Sequence, residues 1–182
     1  MDAYRLPKAA VIGGREYKIN TDYRDVLEMI GYLNNPLWPE MIRWQIVKEL
    51  FYEESIPDEY QNEALQYIAD FISYGAKAGK PGPKLIDWEQ DAQMIVSDVN
   101  KVAGKEVREL PYLHWWTFLS YFYGIGEGQL STIVSIRKKK MTGKKLDKWE
   151  EEFYRENREA IDFQRKETQE DKAVQEYFKK WL

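Results

Sequence analysis

The sequence predicts an all-α protein: a compact multi-helix bundle of about six to seven helices, with a small N-terminal β-hairpin and a charged C-terminal helix. Three observations carry that prediction. Apolar residues recur at i, i+3, i+4 and i+7 in one stretch after another, the mark of amphipathic helices. The stretch Leu110–Gly128, LPYLHWWTFLSYFYGIGEG, has no charged side chain before Glu127. Wound as a helix it is apolar nearly all round, as a helix with neighbours on several sides should be. Alternating residues around a Gly-Gly pair appear near the N-terminus, in AAVIGGREYKIN.

Composition bounds the class. A chain of 182 residues is expected to form one core with a tail. Its organisation reads as an N-terminal segment over 1–20, a helical core domain over 21–160 with a flexible connector at 75–86, and a C-terminal segment over 161–182. Net charge is −4, so no global field favours nucleic acid, and the absence of Cys excludes disulfides and thiolate metal sites. The uncharged run Leu110–Gly126 is shorter than the ~20 residues a spanning helix needs. It also contains Pro, His and Gly, and is expected to be core rather than membrane. Charge is uneven. Residues 1–136 hold 13 basic and 20 acidic side chains, against 14 and 11 in residues 137–182.

In order, Val11-Ile12 and Glu16–Ile19 form the arms of a hairpin whose Gly13-Gly14 turn needs positive φ. An isolated hairpin is marginal, so it is expected to clip onto the helices or to join a partner's sheet. Thr21 or Asp22 caps a helix to about Leu33, with Tyr23, Val26, Leu27 and Ile30 inward. Pro39 opens the next helix, to about Glu54, whose apolar residues are Met41, Trp44, Val47, Leu50 and Phe51. Pro57-Asp58 restarts the pattern, and Tyr60, Ala64, Tyr67, Ile68 and Phe71 carry it to about Tyr74. Gly75–Lys84 is a connector; it lacks the phosphate-loop pattern despite its Gly and Lys.

Asp87 caps the following helix with Gln90 at the capping-box position, and Trp88, Ala92, Ile95, Val99 and Val102 make its stripe up to Gly104. Asp87, Glu89 and Asp91 suit the dipole of a first turn better than a cation site, because Glu89 points away from the other two. The aromatic helix follows, with the Leu113–Tyr123 aromatics in the core and His114 as a packing residue. Leu130, Ile133, Val134 and Ile136 begin a helix that ends in Arg137–Lys140. From Leu146 a highly charged helix carries Trp149 and Phe153 on its inner face, with Ile161 further along.

Two stretches are candidate contact surfaces. The first is basic: Arg137, Lys138, Lys139, Lys140, Lys144 and Lys145. Cations at a helix C-terminus suit the dipole, and they also suit an acidic partner. The second follows the apolar-free run Gln164–Lys172, where Val174, Tyr177, Phe178 and Trp181 return at i, i+3, i+4 and i+7. Such an end either folds back on its own core or docks in another molecule's groove. The sequence contains no HExxH, GxSxG, Walker lysine or post-strand GxGxxG pattern, so it nominates no catalytic, cofactor-binding or metal-binding residues.

The runs LIDWEQDAQMIVSDVNKVAG and LPYLHWWTFLSYFYGIGEGQLSTIVSIRKKK, the charged helix after them and the opening YKINTDYRDVLEM together resemble one family over residues ~11–160. It is the bacteriophage "gene product fifteen" tail protein family of long non-contractile-tailed phages and prophages of Gram-positive bacteria. The most specific parts are Asp87–Asp91 (DWEQD) and Leu113–Phe118 (LHWWTF). The resemblance implies a tail assembly chaperone that binds the tape measure protein by non-covalent contacts in the host cytoplasm and is absent from the mature virion. A second tail assembly chaperone and self-association are further implied partners. Neither membrane nor nucleic acid is expected as a partner, nor is enzymatic activity. The alternative is a structural tail component retained in the virion. After Ala160 the sequence departs from the pattern, and no role transfers there.

Overall fold

A computed structural model describes residues 4–75 and 82–164. Among these residues the protein is mostly helical, with eight α-helices, two short 3-10 turns and one two-stranded antiparallel sheet. The chain divides into two compact units, Pro7–Phe71 and Ile72–Gln164, with Tyr4–Leu6 counted in the second. The sequence reading, which carried one core domain over 21–160, does not make that division.

In the first unit, β1 (Ala9–Ile12) pairs with β2 (Arg15–Lys18), with Ala10 opposite Tyr17 and Ile12 opposite Arg15. Alternation puts Ala10, Ile12 and Tyr17 inside. Gly13 and Gly14 both have positive φ, +56° and +78°, as a two-residue turn of this hand requires. At Gly13 a Cβ would also lie 2.5 Å from the Tyr60 ring. The hairpin is a clip on its own unit. The Tyr67 hydroxyl donates to the Ala9 carbonyl, and Gly13 N–H donates to Glu63. Past β2, Ile19 bridges to Tyr52 and Asn20 N–H reaches Phe51 O at 2.8 Å.

Helix α1 (Tyr23–Leu33) starts where Asp22 accepts the Arg24 N–H and stops at Asn34. Helix α2 (Glu40–Phe51) ends three residues before the expected Glu54. There Tyr52 turns extended, bridges Ile19, and sends its hydroxyl to Ala64 O at 2.9 Å. Helix α3 (Gln61–Ile72) follows a 3-10 turn at Asp58–Tyr60. Val26, Met29, Val47, Phe51, Ala64, Ile68 and Phe71 are buried in this unit, with Phe51 edge-on to Phe71 at 5.2 Å. Met41 was expected on the apolar face but is 76% exposed.

In the second unit, regular helix α4 (Ala92–Ala103) begins after a turn whose N–H groups at Glu89 and Gln90 are taken by Asp87 Oδ1. Gln90 does not complete a capping box; its side chain is directed to residues 159–164, as described below. Gly104 ends α4 at φ +66°. Helix α5 (Trp115–Tyr123) is capped by His114, whose Nδ1 accepts the Trp116 N–H at 3.0 Å. Trp115, Trp116, Phe118 and Leu119 are buried, and Trp115 stacks on Phe118. Tyr123 corrects the expectation of a fully core aromatic set. It lies in the last turn before Gly124 and is 66% exposed.

Helix α6 (Gln129–Met141) starts under α4. Asp98, buried, accepts the Leu130 N–H, and a Cβ on Gly128 would stand 2.8 Å from Asp98 Oδ2. Helix α7 (Lys148–Glu156) opens with a reciprocal cap between Asp147 and Glu150, and α8 (Arg158–Ile161) is the last described helix. The single charged helix expected here is broken at Asn157, whose amide turns back to Phe153 O at 2.9 Å. Ile161 joins Ile133 and Ile136 in a cluster covered by Met94, Leu146, Phe153 and Tyr154. Trp149, expected inward, is 58% exposed and stacks on Phe153 from outside.

Candidate functional site

The candidate basic surface does not survive as six side chains. Arg137 sits on the inward stripe of α6 with Leu130 and Ile133 and is only 3% exposed. A guanidinium has five N–H donors, and here all five are used. Nη1 donates to Asp91 Oδ2 at 2.6 Å and to Leu85 O at 3.0 Å; Nη2 donates to Asp91 Oδ1 at 2.9 Å and to Ala160 O at 2.8 Å; Nε donates to Ile161 O at 2.7 Å. The Phe163 ring lies 4.1 Å from the guanidinium carbon. Asp91 is fully buried and also accepts the Asp87 N–H. Arg137 therefore has no donor left for a partner, and its role is to join α4, α6 and residues 160–161.

Gln90 reinforces the same corner. Its Nε2 donates to Asp162 O at 2.9 Å, with longer bonds to Glu159 O and Ala160 O, and its Oε1 accepts the Gln164 N–H at 3.0 Å. Asp87 is held below the usual carboxylate range. Burial pushes it up, but the Lys84 hydrogen bond and the Gln90 and Glu89 N–H groups outweigh that and bring it down to about 2. Two of the three acids of DWEQD are thus structural: Asp87 caps a turn and Asp91 anchors Arg137.

Two of the lysines are also committed. Lys139 bonds both oxygens of buried Glu150, at 2.5 and 2.6 Å. Lys140 bonds Asp162 at 2.5 Å and stands 3.6 Å from the centre of the Tyr154 ring. Burial lowers the Lys140 pKa, but Asp162 and Tyr154 more than reverse that, so it lies above the usual range. Lys138, Lys144 and Lys145 are exposed, and their side chains take no hydrogen bond or ion pair from the described residues. Lys138 in the last turn of α6, with Lys144 and Lys145 just past its end, is what remains of the patch. The second candidate surface, Val174, Tyr177, Phe178 and Trp181, lies outside the described residues.

Sequence reasoning did not find a groove on the first unit. Met41, Trp44 and Leu65 line its floor and Glu40, Gln45, Lys48 and Gln61 its margin, enclosing about 730 Å³ between α2 and the start of α3. The signal was Met41 itself: with Trp44 and Lys48 it forms a row on α2 distinct from the buried Val47 and Phe51. Lys48 is braced against Gln61 Oε1 at 2.5 Å, so the margin between the two helices is fixed. Such a recess can bind an apolar helical face, with Trp as a rigid anchor and Met as an adaptable one.

Among the described residues no helix is long and apolar enough to cross a membrane. Neither the curated proteins nor the solved structures contain a significant match to this chain. A family model described as "Bacteriophage Gp15 protein" matches residues 4–163, which include the Arg137–Asp91 corner, the aromatic helix and the groove. The chain therefore belongs to the bacteriophage Gp15 protein family, and it is a phage structural or tail-related protein.

Proposed function

We propose that this protein is a tail assembly chaperone, binding the tape measure protein in the host cytoplasm and assisting tail tube assembly by non-covalent contacts. The observation that supports this reading best is the apolar groove between α2 and α3, with Met41 and Trp44 presented on a rigid helix. A tape measure exposes long apolar helical faces before a tube encloses it, and such faces aggregate unless covered. A small helical protein with such a groove covers a short length of helix reversibly, and many copies cover a long one. Lys138, Lys144 and Lys145 offer a second contact to acidic residues of the client. The action is binding and release, with no chemical step.

Co-expression with the tape measure protein encoded beside it tests this. The full chain is expected to keep the tape measure soluble and to co-purify with it, while Met41→Glu lowers the soluble fraction at least fivefold without changing the chaperone's own melting temperature. A tape measure that precipitates with either chain overturns the reading. Mass spectrometry of purified particles supplies the other arm: abundance equal to that of a tail-tube component would identify a protein retained in the virion.

A further inference from the structure

We infer that the groove between α2 and α3 selects a client helix of basic character, one whose apolar stripe is followed by Lys or Arg. The apolar side chains lie on the Met41, Trp44 and Leu65 floor, and the cations meet carboxylates at the C-terminal end of α2. The inference rests on the reading of this groove as the client site, and adds which helix fits it.

Two recesses of the first unit carry it. The apolar one, of about 730 Å³, follows the row Met41, Trp44 and Lys48 along α2, a length of about 10 Å at 1.5 Å per residue, or two helical turns. It runs into a second depression of about 380 Å³, with Lys48 and Gln61 lining both. The second depression is acidic: Glu49, Glu53, Glu54 and Asp58 line it. Glu54 is neutralised by Arg15 at 2.5 Å. Glu49, Glu53 and Asp58 are exposed carboxylates with no cation paired to them among the described residues. Lys48, held by Gln61, is the one cation among the residues lining either recess.

The surface therefore changes from apolar to anionic along one line. A helix lying on that line gains burial over Met41 and Trp44 and, about 12 Å or eight residues further on, gains charge pairing over Glu49 and the acids beyond it. The whole unit supports the same sign: residues 7–71 hold 6 basic and 12 acidic side chains, so its field attracts a cationic partner from a distance. An acidic helix would be repelled at the second recess. So would a second copy of this chain presenting the same face, which would set these carboxylates against their own kind.

Designed peptides test the inference without the tape measure protein. Each is a helix of about 20 residues, long enough to form on the surface, with Leu at i, i+3, i+4 and i+7. One carries three Lys in the two turns that follow, a second carries Glu in their place, and a third keeps the Lys but has Ser for every Leu. Fluorescence anisotropy with the full-length protein is expected to show the Lys peptide binding about tenfold more tightly than the Glu peptide at low salt. That gap should close in about 1 M salt, and the Leu-free peptide should not bind. Glu49→Lys combined with Glu53→Lys, both on exposed positions, is expected to reverse the order while leaving the melting temperature unchanged.

Equal affinities for the first two peptides, no binding by either, or a Leu-free peptide that binds as tightly overturns the inference. So does an order that the folded double variant leaves unmoved; if that variant does not fold, the comparison on the unaltered protein decides alone. A tape measure kept soluble alongside equal peptide affinities would strike this inference and leave the chaperone reading standing. A preference for the Lys peptide alongside a tape measure that precipitates would do the reverse.

Discussion

Asp91 on the entry to α4 and Arg137 on α6, 46 residues apart, meet fork to fork at 2.6 and 2.9 Å with both side chains out of solvent. A buried pair of this kind is sensitive to loss of either partner, because the survivor keeps its desolvation and loses its counter-charge. Arg137→Met is expected to destabilise the protein by about 3–5 kcal/mol. Asp91→Asn removes the charge but keeps an acceptor, and should cost less than Arg137→Met. Urea denaturation of both single variants and the double variant checks this, and a coupling energy near zero would contradict the arrangement.

Gly128 leaves room for the Asp98 carboxylate above the start of α6. Gly128→Ala puts a methyl 2.8 Å from Asp98 Oδ2 and must push a buried group aside. The expected loss is about 1–3 kcal/mol, the range for overpacking. Gly126→Ala, where a Cβ meets nothing within 4 Å, is expected to cost far less. Thermal melts of the two side by side decide.

His114 caps the aromatic helix through Nδ1. His114→Ala removes an acceptor and a buried ring together and should destabilise by more than 1 kcal/mol, the usual magnitude for losing a cap. His114→Asn restores the acceptor and should recover part of the loss. If Asn is no better than Ala in chemical denaturation, the ring's packing rather than its hydrogen bond is what α5 needs.

Asp87 supplies a pH dependence of definite sign. Its folded pKa, about 2, lies below its ordinary value of 3.8, so its stabilising contribution is complete above the latter and disappears as pH falls towards the former. Asp162 is displaced in the same direction: burial raises it, but Lys140, Tyr154 and Arg158 lower it further. Stability should therefore fall between about pH 5 and pH 2. Asp87→Asn, which still accepts at the cap, should remove about 1–2 kcal/mol of that fall. Urea midpoints at pH 5 and pH 2.5 for both proteins test it.

Local chemistry made much of this fold legible. Gly13-Gly14, the Asp22 cap, Pro39 and Gly104 each impose a backbone state through their own geometry, and each marks a turn or a helix end. The Arg137 role was hidden by its neighbours, since four cations in a row look like one solvated surface. A signal was present nonetheless: Arg137 stands at i+7 from Leu130 and i+4 from Ile133, and Asp91 at the same intervals from Asp98 and Ile95, so each charge lies on a core stripe. Exposure of Trp149 and Tyr123 depends on which neighbour arrives from elsewhere in the chain. Periodicity names a face, not its occupant.

The corner built by Arg137 and Gln90 has a consequence for the order of events during synthesis. Three donors of Arg137 find acceptors already made, at Leu85 and Asp91, but the other two wait for Ala160 and Ile161, and Gln90 waits for residues 159–164. While the ribosome is still making α6, the guanidinium has no carbonyls from α8 to bind, and the second unit cannot close. The unit of residues 7–71 faces no such delay, because its hairpin, α2 and α3 supply one another's partners. The nascent chain should therefore hold a finished N-terminal body bearing an open groove while the remainder is still unfolded.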